Sequence, residues 1–130
     1  MISKLSKFLP VLLLLAFFSP ASTARANSAD VKIQLVAAPE FPGAKGTARF
    51  RDRTGEREFQ VEVQVSPRLA GSVFTVSVDG VTAGQMTINA LGAGRLSLNS
   101  KLGQTVPAVV PGSLLGVTTA TGAIVLAGQF

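Results

Sequence analysis

Polar and apolar residues alternate along most of the chain after residue 30. The clearest case is 57–65 (REFQVEVQV), in which every second residue from Phe59 to Val65 is apolar and the residues between them are polar. The same alternation occurs in 31–35 (VKIQL) and 74–78 (FTVSV). A period of two is typical of a β-strand with one buried face, whereas helices need a period near 3.6. The pattern therefore predicts an all-β domain.

Glycine-containing turn signals separate these alternating segments. Asp79-Gly80 lies between Val78 and Val81 and indicates a two-residue hairpin of type I′, because both central positions of that turn need positive φ. Further hairpins are predicted at 54–55, 91–94 and 121–122, and longer connections at 39–43, 66–71 and 100–113. Short strands with turns every 8–12 residues favour a single antiparallel β-sandwich or flattened barrel of seven or eight strands.

The inward positions of these strands define the expected core. It contains Phe50, Phe59, Val61, Val63, Phe74, Val76, Ile88, Leu96, Leu98, Ile124 and Leu126. The segments 114–119 and 123–130 are almost wholly apolar, which two structures would explain. One is a central strand covered on both faces, and the other is an edge strand that meets a partner. Burial is the commoner reason for such a strand, so we expect the central position.

The first 26 residues read as a signal peptide. Lys4 and Lys7 precede an apolar run at 8–18, and Ala24-Arg25-Ala26 places small residues where a signal peptidase cuts. The run of about 11 residues is shorter than the roughly 20 that a membrane-spanning helix needs. We therefore expect a leader at 1–26, an all-β domain at 27–130 with no membrane span, and a secreted or periplasmic location. An uncleaved N-terminal anchor is the alternative.

Composition removes most catalytic chemistry. The 130 residues include no His, Cys, Trp or Tyr, which excludes Ser-His and Cys-His nucleophiles, disulfides and the usual zinc or haem ligands. The leader holds three of the 12 basic residues, so nine remain against seven acids and the mature chain carries about +2. That balance, without stacking aromatics, does not favour nucleic-acid binding. We expect a protein that is not an enzyme, with no catalytic, cofactor-binding or metal-binding residues.

Three groups of residues are candidate binding or catalytic sites. One predicted hairpin sets Arg49, Arg51, Arg53 and Arg57 against Glu56, Glu58 and Glu62, which is either an anion-binding strip or, as we expect, a solvated face of cross-strand ion pairs. Four other carboxylates are scattered among separate segments and do not predict a catalytic dyad or calcium loop: Asp30, Glu40, Asp52 and Asp79. Gly92-Ala93-Gly94 lacks a third glycine and a following helix, so it reads as a hairpin turn and not a phosphate-binding loop.

Three blocks of the mature chain resemble segments of a loose set of small exported bacterial β-domains. They are GTARFRDRTGEREFQVEVQ (46–64), FTVSVDGVTAGQMTINALGAGRLSLN (74–99) and TVPAVVPGSLLGVTTATGAIVLAGQF (105–130). The shared features are a charged first hairpin, a VDGV hairpin, a VP…PG loop and an ending of the form G-x-[IV]-[VL]-x-G-x-F. The resemblance implies export and an all-β fold, and it carries no activity or site residue.

Two functional classes are compatible with these features. The first is a non-catalytic binding or interaction module of the cell envelope or periplasm, with an unidentified protein partner and with ligands meeting the loops at 39–45, 66–72 and 100–113. The second is a structural or assembly subunit that pairs through its C-terminal strand. We favour the first, because burial accounts for the apolar strand without a partner.

Overall fold

The computed structural model describes residues 29–130, so the predicted leader lies outside the described residues. Eight strands and two single 3₁₀ turns, at Pro67–Leu69 and Ser100–Leu102, make up the domain. The strands are β1 (Ala29–Ala37), β2 (Lys45–Arg53), β3 (Glu56–Gln64), β4 (Val73–Val78), β5 (Val81–Thr87), β6 (Ala93–Asn99), β7 (Leu114–Thr118) and β8 (Ile124–Gln129). The all-β prediction is therefore confirmed. Within 29–130 no helix is long and apolar enough to span a membrane.

All strands belong to one antiparallel sheet with the order β5-β4-β7-β8-β1-β2-β3-β6. β1 joins its two halves: Ala29–Leu35 pairs with β2, and only Val36 and Ala37 pair with β8. Because β1 changes partner partway along its length, the sheet folds over into two layers, β1-β2-β3-β6 and β4-β5-β7-β8. The observed structure, one nearly closed sheet in two layers, therefore has features of both predicted alternatives, the sandwich and the flattened barrel.

The two ends of the sheet, β5 and β6, approach each other without forming a ladder. Asn89 N–H bonds to the Ala93 carbonyl at 2.9 Å where the two strands begin to part. Farther along, apolar side chains fill the gap, and glycines make the room for them. Leu96 packs over Gly84, while Ile88 and Met86 pack over Gly94. The barrel is therefore closed by side-chain packing rather than by backbone hydrogen bonds in this region.

Most of the predicted core is buried. Nine of the eleven named side chains are buried: Phe50, Phe59, Val61, Val63, Phe74, Val76, Ile88, Leu96 and Leu126. Leu98 is only partly buried, and Ile124 is wrong, because it is 53 % exposed. The cause is a β-bulge. Val117 pairs with Leu126 but Thr118 pairs with Ile124, so Val125 is an extra residue that turns inward beside Leu126 and rotates Ile124 outward.

The hairpin predicted at Asp79-Gly80 is confirmed in type. The φ angles of the two residues are 50° and 83°, which is the pair of positive values that a type I′ turn requires. Asp79 is the one non-glycine residue in 29–130 with positive φ. Its carboxylate accepts a hydrogen bond from Leu114 N–H at 2.9 Å, so the strained turn is also tied to the start of β7.

The apolar C-terminal strands lie inside the sheet. β7 is between β4 and β8, and β8 is between β7 and β1, as expected for a central position. The expectation that both faces are covered is wrong, since Leu114 is 59 % exposed on the outer face. These strands are apolar on their inner face because they form the core, and their outer face is merely uncharged.

Candidate binding surface

The outer face of β1-β2-β3-β6 carries a connected group of ion pairs. Arg49 binds Asp30 with two hydrogen bonds, Nε to Oδ1 at 3.0 Å and Nη2 to Oδ2 at 2.9 Å. Arg51 lies between Asp30, at 3.4 Å, and Glu58, at 3.0 Å. Asn99 Nδ2 then donates to Glu56 at 3.0 Å. Arg49 and Arg51 are therefore both paired with carboxylates.

These contacts favour the ion-pair interpretation of the charged hairpin over the anion-binding strip. The predicted pairing across β2 and β3 is present for Arg51 and Glu58. Arg57 instead pairs with Asp52, which the sequence analysis places among the scattered carboxylates. The partner of Arg49 comes from elsewhere, because the residue opposite it on β3 is Gln60 and its carboxylate is Asp30 on β1. The sequence pattern predicts that Asp30 is an isolated carboxylate, and only the β1-β2 register brings it close to Arg49.

The two arginines change the acidity of Asp30. The hydrogen bonds from Arg49, with the charges of Arg49 and Arg51 and a hydrogen bond from Arg51, outweigh an opposing effect of desolvation and lower the pKa of the Asp30 carboxyl from 3.8 to about 2. The same contact raises the pKa of the Arg49 guanidinium. The carboxylate of Asp30 is therefore held ionised well below the pH at which it would titrate in the unfolded chain.

This shift predicts an acid-dependent loss of stability. A carboxyl whose pKa is lower in the folded state contributes stability above its unfolded pKa and loses it as the pH falls through the folded one. We therefore expect the free energy of unfolding to fall between about pH 4 and pH 2, and to fall less in Asp30→Asn. Urea unfolding across pH 2–5 measures this. Glu40→Gln is the control, because Glu40 has no ion pair within residues 29–130; an equal change in both variants would contradict the assignment.

The predicted ligand loops do not all meet. The connections at 39–44 and 66–69 line a shared cleft of about 250 Å³ between Phe41 and Leu69. The 100–113 connection begins and ends at the other end of the barrel. There Arg57 N–H bonds to Ser100 Oγ at 2.9 Å, and Asp79 N–H bonds to the Leu114 carbonyl at 2.8 Å. Since adjacent strands run antiparallel, connections after β1 and β3 share one end, and the connection after β6 falls at the opposite end.

A larger trough crosses the outer face of β1-β2-β3-β6, close to the connections at 39–44 and 66–69. It has a volume of about 560 Å³ and runs over β2, β3 and β6 between the end of β5 and Gln34 of β1. The strand register explains its shape. Gly46, Val63 and Gly94 lie opposite one another and face inward, so only their main chain reaches the outer surface and forms the floor. Flanking outward rows form the walls, including Thr47, Glu62, Arg95, Lys45 and Gln64.

The charged side chains of the trough are held less firmly than Arg49 and Arg51. Lys45 has no carboxylate within ion-pair distance among the described residues. Arg95 is 3.7 Å from Glu62, and both side chains are more than half exposed, so this pair holds neither side chain firmly. The trough is therefore a solvent-accessible channel lined by amides, hydroxyls and one net positive charge. The sequence alone does not predict the trough, because its floor depends on the register that places Gly46 and Gly94 on either side of Val63.

Residues 29–130 contain few clustered or buried polar side chains. No group of three or more His, Cys, Asp or Glu residues there is placed to hold a metal ion. Ser113 is the single buried polar side chain in that part, and its hydroxyl accepts the Val110 N–H at 3.0 Å to close a tight loop. Gly92 belongs to a turn in which its N–H donates to the Asn89 carbonyl, so the turn begins two residues earlier than predicted. The hairpin predicted at 91–94 is wrong as a strand pair, because β5 and β6 form no ladder.

Comparisons with protein-family models, with curated proteins and with solved structures return no match for this chain. The function is therefore inferred from the outer face of β1-β2-β3-β6.

Proposed function

We propose that the protein is a non-catalytic binding module of the cell envelope, and that it binds through the trough on the outer face of β1-β2-β3-β6. The observation that carries this proposal is the contrast within that face. Arg49 and Arg51 are held by carboxylates, whereas in the trough Lys45 is exposed and has no ion pair in the described structure, and the Arg95–Glu62 pair is long and exposed. Free polar groups in a concave site on a rigid sheet are suited to binding a ligand.

The absence of His and Cys from the whole sequence supports a binding role over catalysis. General acid–base or nucleophilic work at neutral pH would fall to carboxylates, Lys or Ser. The one carboxyl with a clearly shifted pKa is Asp30, whose pKa is lowered, and a strongly ionised carboxylate is a poor general acid or base near pH 7. The leader predicted at 1–26 supports the envelope location.

The competing proposal, assembly through the C-terminal strand, requires a free strand edge. β8 pairs with β7 on one side over Ile124–Gln129 and contacts β1 on the other through Val36, Ala37 and Ala38. The chain end is also tied back, since Phe130 N–H bonds to the Ser113 carbonyl at 2.9 Å. The position of β8 therefore favours the binding module over edge pairing.

Photo-crosslinking in intact cells tests the proposal. A benzoylphenylalanine in place of Thr47 lies in the trough, and the same residue in place of Ser97 lies on the same outer face outside it. We expect one adduct of defined mass from Thr47, absent from Ser97, and lost when Lys45→Glu is added. Equal labelling at both positions, or none at Thr47, would contradict a binding role for the trough.

A further inference from the structure

The charged residues of the strands are confined to one half of the sheet. Twelve of the 16 charged residues in 29–130 lie on β1, β2, β3 and β6, and the other four lie in connections: Glu40, Arg68, Asp79 and Lys101. β4, β5, β7 and β8 contain no Lys, Arg, Asp or Glu at all. A solvated outer sheet face is ordinarily polar and charged, so an exposed face without charges needs an explanation.

This neutral face, the outward surface of β4-β5-β7-β8 with the end of β1, has a flat centre. The cross-strand register aligns Val36, Ala127, Gly116, Ser77 and Thr82 in one outward row. Val36 is 71 % exposed, and the next three residues are small. Leu114 and Ile124 project on either side of that row and are more than half exposed. Small residues in the middle of a sheet allow another sheet to approach to about 10 Å.

We propose that two copies of the protein pack face to face through this neutral face, related by a two-fold axis. Charge matching identifies the occupant. Packing against the opposite, charged outer face would remove Asp30, Arg49 and their neighbours from water, which costs several kcal/mol per ion unless each is re-paired. The neutral face of a second copy carries no charge to desolvate, and a two-fold axis sets the same patch against itself.

The remaining charges do not oppose this dimer strongly. Twelve of them lie on the far layer, about 10 Å behind the neutral face, and the other four lie in connections at the ends of the strands. The Debye length at physiological salt is about 8 Å, so repulsion between the two copies is largely screened. The interface is small, because the outward positions of four strands fall short of the 20–30 residues per side of a standard interface. The dimer is therefore weak and concentration-dependent.

Sedimentation equilibrium of the purified protein from about 10 µM to 1 mM tests the proposal. We expect a reversible monomer–dimer equilibrium in the unmodified protein and at least a tenfold weaker one in Ala127→Lys, since that change places a charge at the centre of each copy's face. Ser97→Lys adds the same charge to the opposite outer face and should dimerise like the unmodified protein. Val36→Lys, at the edge of the same row, is the second variant and should also weaken the dimer.

Three results would overturn the proposal. A protein that stays monomeric up to 1 mM has no such interface. Equal weakening by Ala127→Lys and Ser97→Lys would mean that added positive charge acts generally and not at one face. Dimers that persist in both Ala127→Lys and Val36→Lys, with native circular dichroism spectra, would place the contact elsewhere, for example along the open edges of β5 and β6. None of these outcomes depends on whether the trough binds a ligand.

Discussion

Removal of residues 123–130 is expected to unfold the domain and not to release a folded monomer. β8 supplies Val125 and Leu126, both fully buried, and it is the only strand that joins β7 to β1 in the described sheet. Burial of two such side chains contributes about 3–6 kcal/mol, and a domain of this size has about 5–15 kcal/mol in total. Loss of the strand also leaves the hydrogen-bonding groups of β7 unpaired.

Far-UV circular dichroism and light scattering of the truncated protein measure this outcome. Deletion of Phe130 alone is the matched control, because it shortens the chain end but keeps the whole of β8. The control should remain folded, with a modest loss of stability from the broken Phe130–Ser113 and Gly112–Phe130 hydrogen bonds. A truncated protein that remains a folded monomer would place the strand outside the core and would revive assembly through the C-terminal strand.

Gly92→Ala is expected to be the most destabilising of the single glycine-to-alanine changes at the turns. Gly92 has φ of +84°, a conformation that costs an L-residue about 1–2 kcal/mol. In addition, a Cβ at this position would overlap the Val65 carbonyl oxygen, whose residue is tied to the turn because Val65 N–H bonds to the Gly92 carbonyl at 2.8 Å. Displacement of packed backbone adds about 1–3 kcal/mol, for a total of roughly 2–5 kcal/mol.

Gly80→Ala and Gly55→Ala separate the two causes. Each glycine has φ of +83°, and a Cβ at either position meets nothing within 4 Å. These variants should therefore lose only the conformational part, about 1–2 kcal/mol. Urea unfolding of the three variants gives the comparison. If all three lose the same stability, the contact with the Val65 carbonyl has no energetic consequence and the turn relaxes without cost.

The two proposed interactions use different parts of the outer surface, the trough and the neutral face. The charged layer presents a concave polar site near the β1–β2 and β3–β4 connections, and the neutral layer presents a flat surface suited to a second copy. Because they lie on opposite layers, a dimer would leave both troughs open and facing away from each other. Two linked sites would strengthen binding to a repeated ligand, provided that the ligand spans both.

The alternation of residues by itself determined the strand content and most inward positions. In 59–65, for example, every second residue is apolar, so a strand is the one regular structure that buries all of them on one face. The type I′ turn at Asp79-Gly80 was equally accessible, because the backbone demand is local to two residues. The lack of His and Cys chemistry likewise depends on residue types and not on contacts. The leader at 1–26 and the secreted or periplasmic location stay predictions from residue types.

Only the tertiary structure decided what depends on residues distant in sequence. Asp30 became the partner of Arg49 through the β1-β2 register, and Gly46 and Gly94 became the floor of a trough because β3 lies between their strands. The bulge at Val125 reversed the orientation of Ile124, since one extra residue shifts a period of two. Local alternation specifies which side of a strand is apolar, but strand order and register specify which side chains meet, and a surface site is made of side chains that meet.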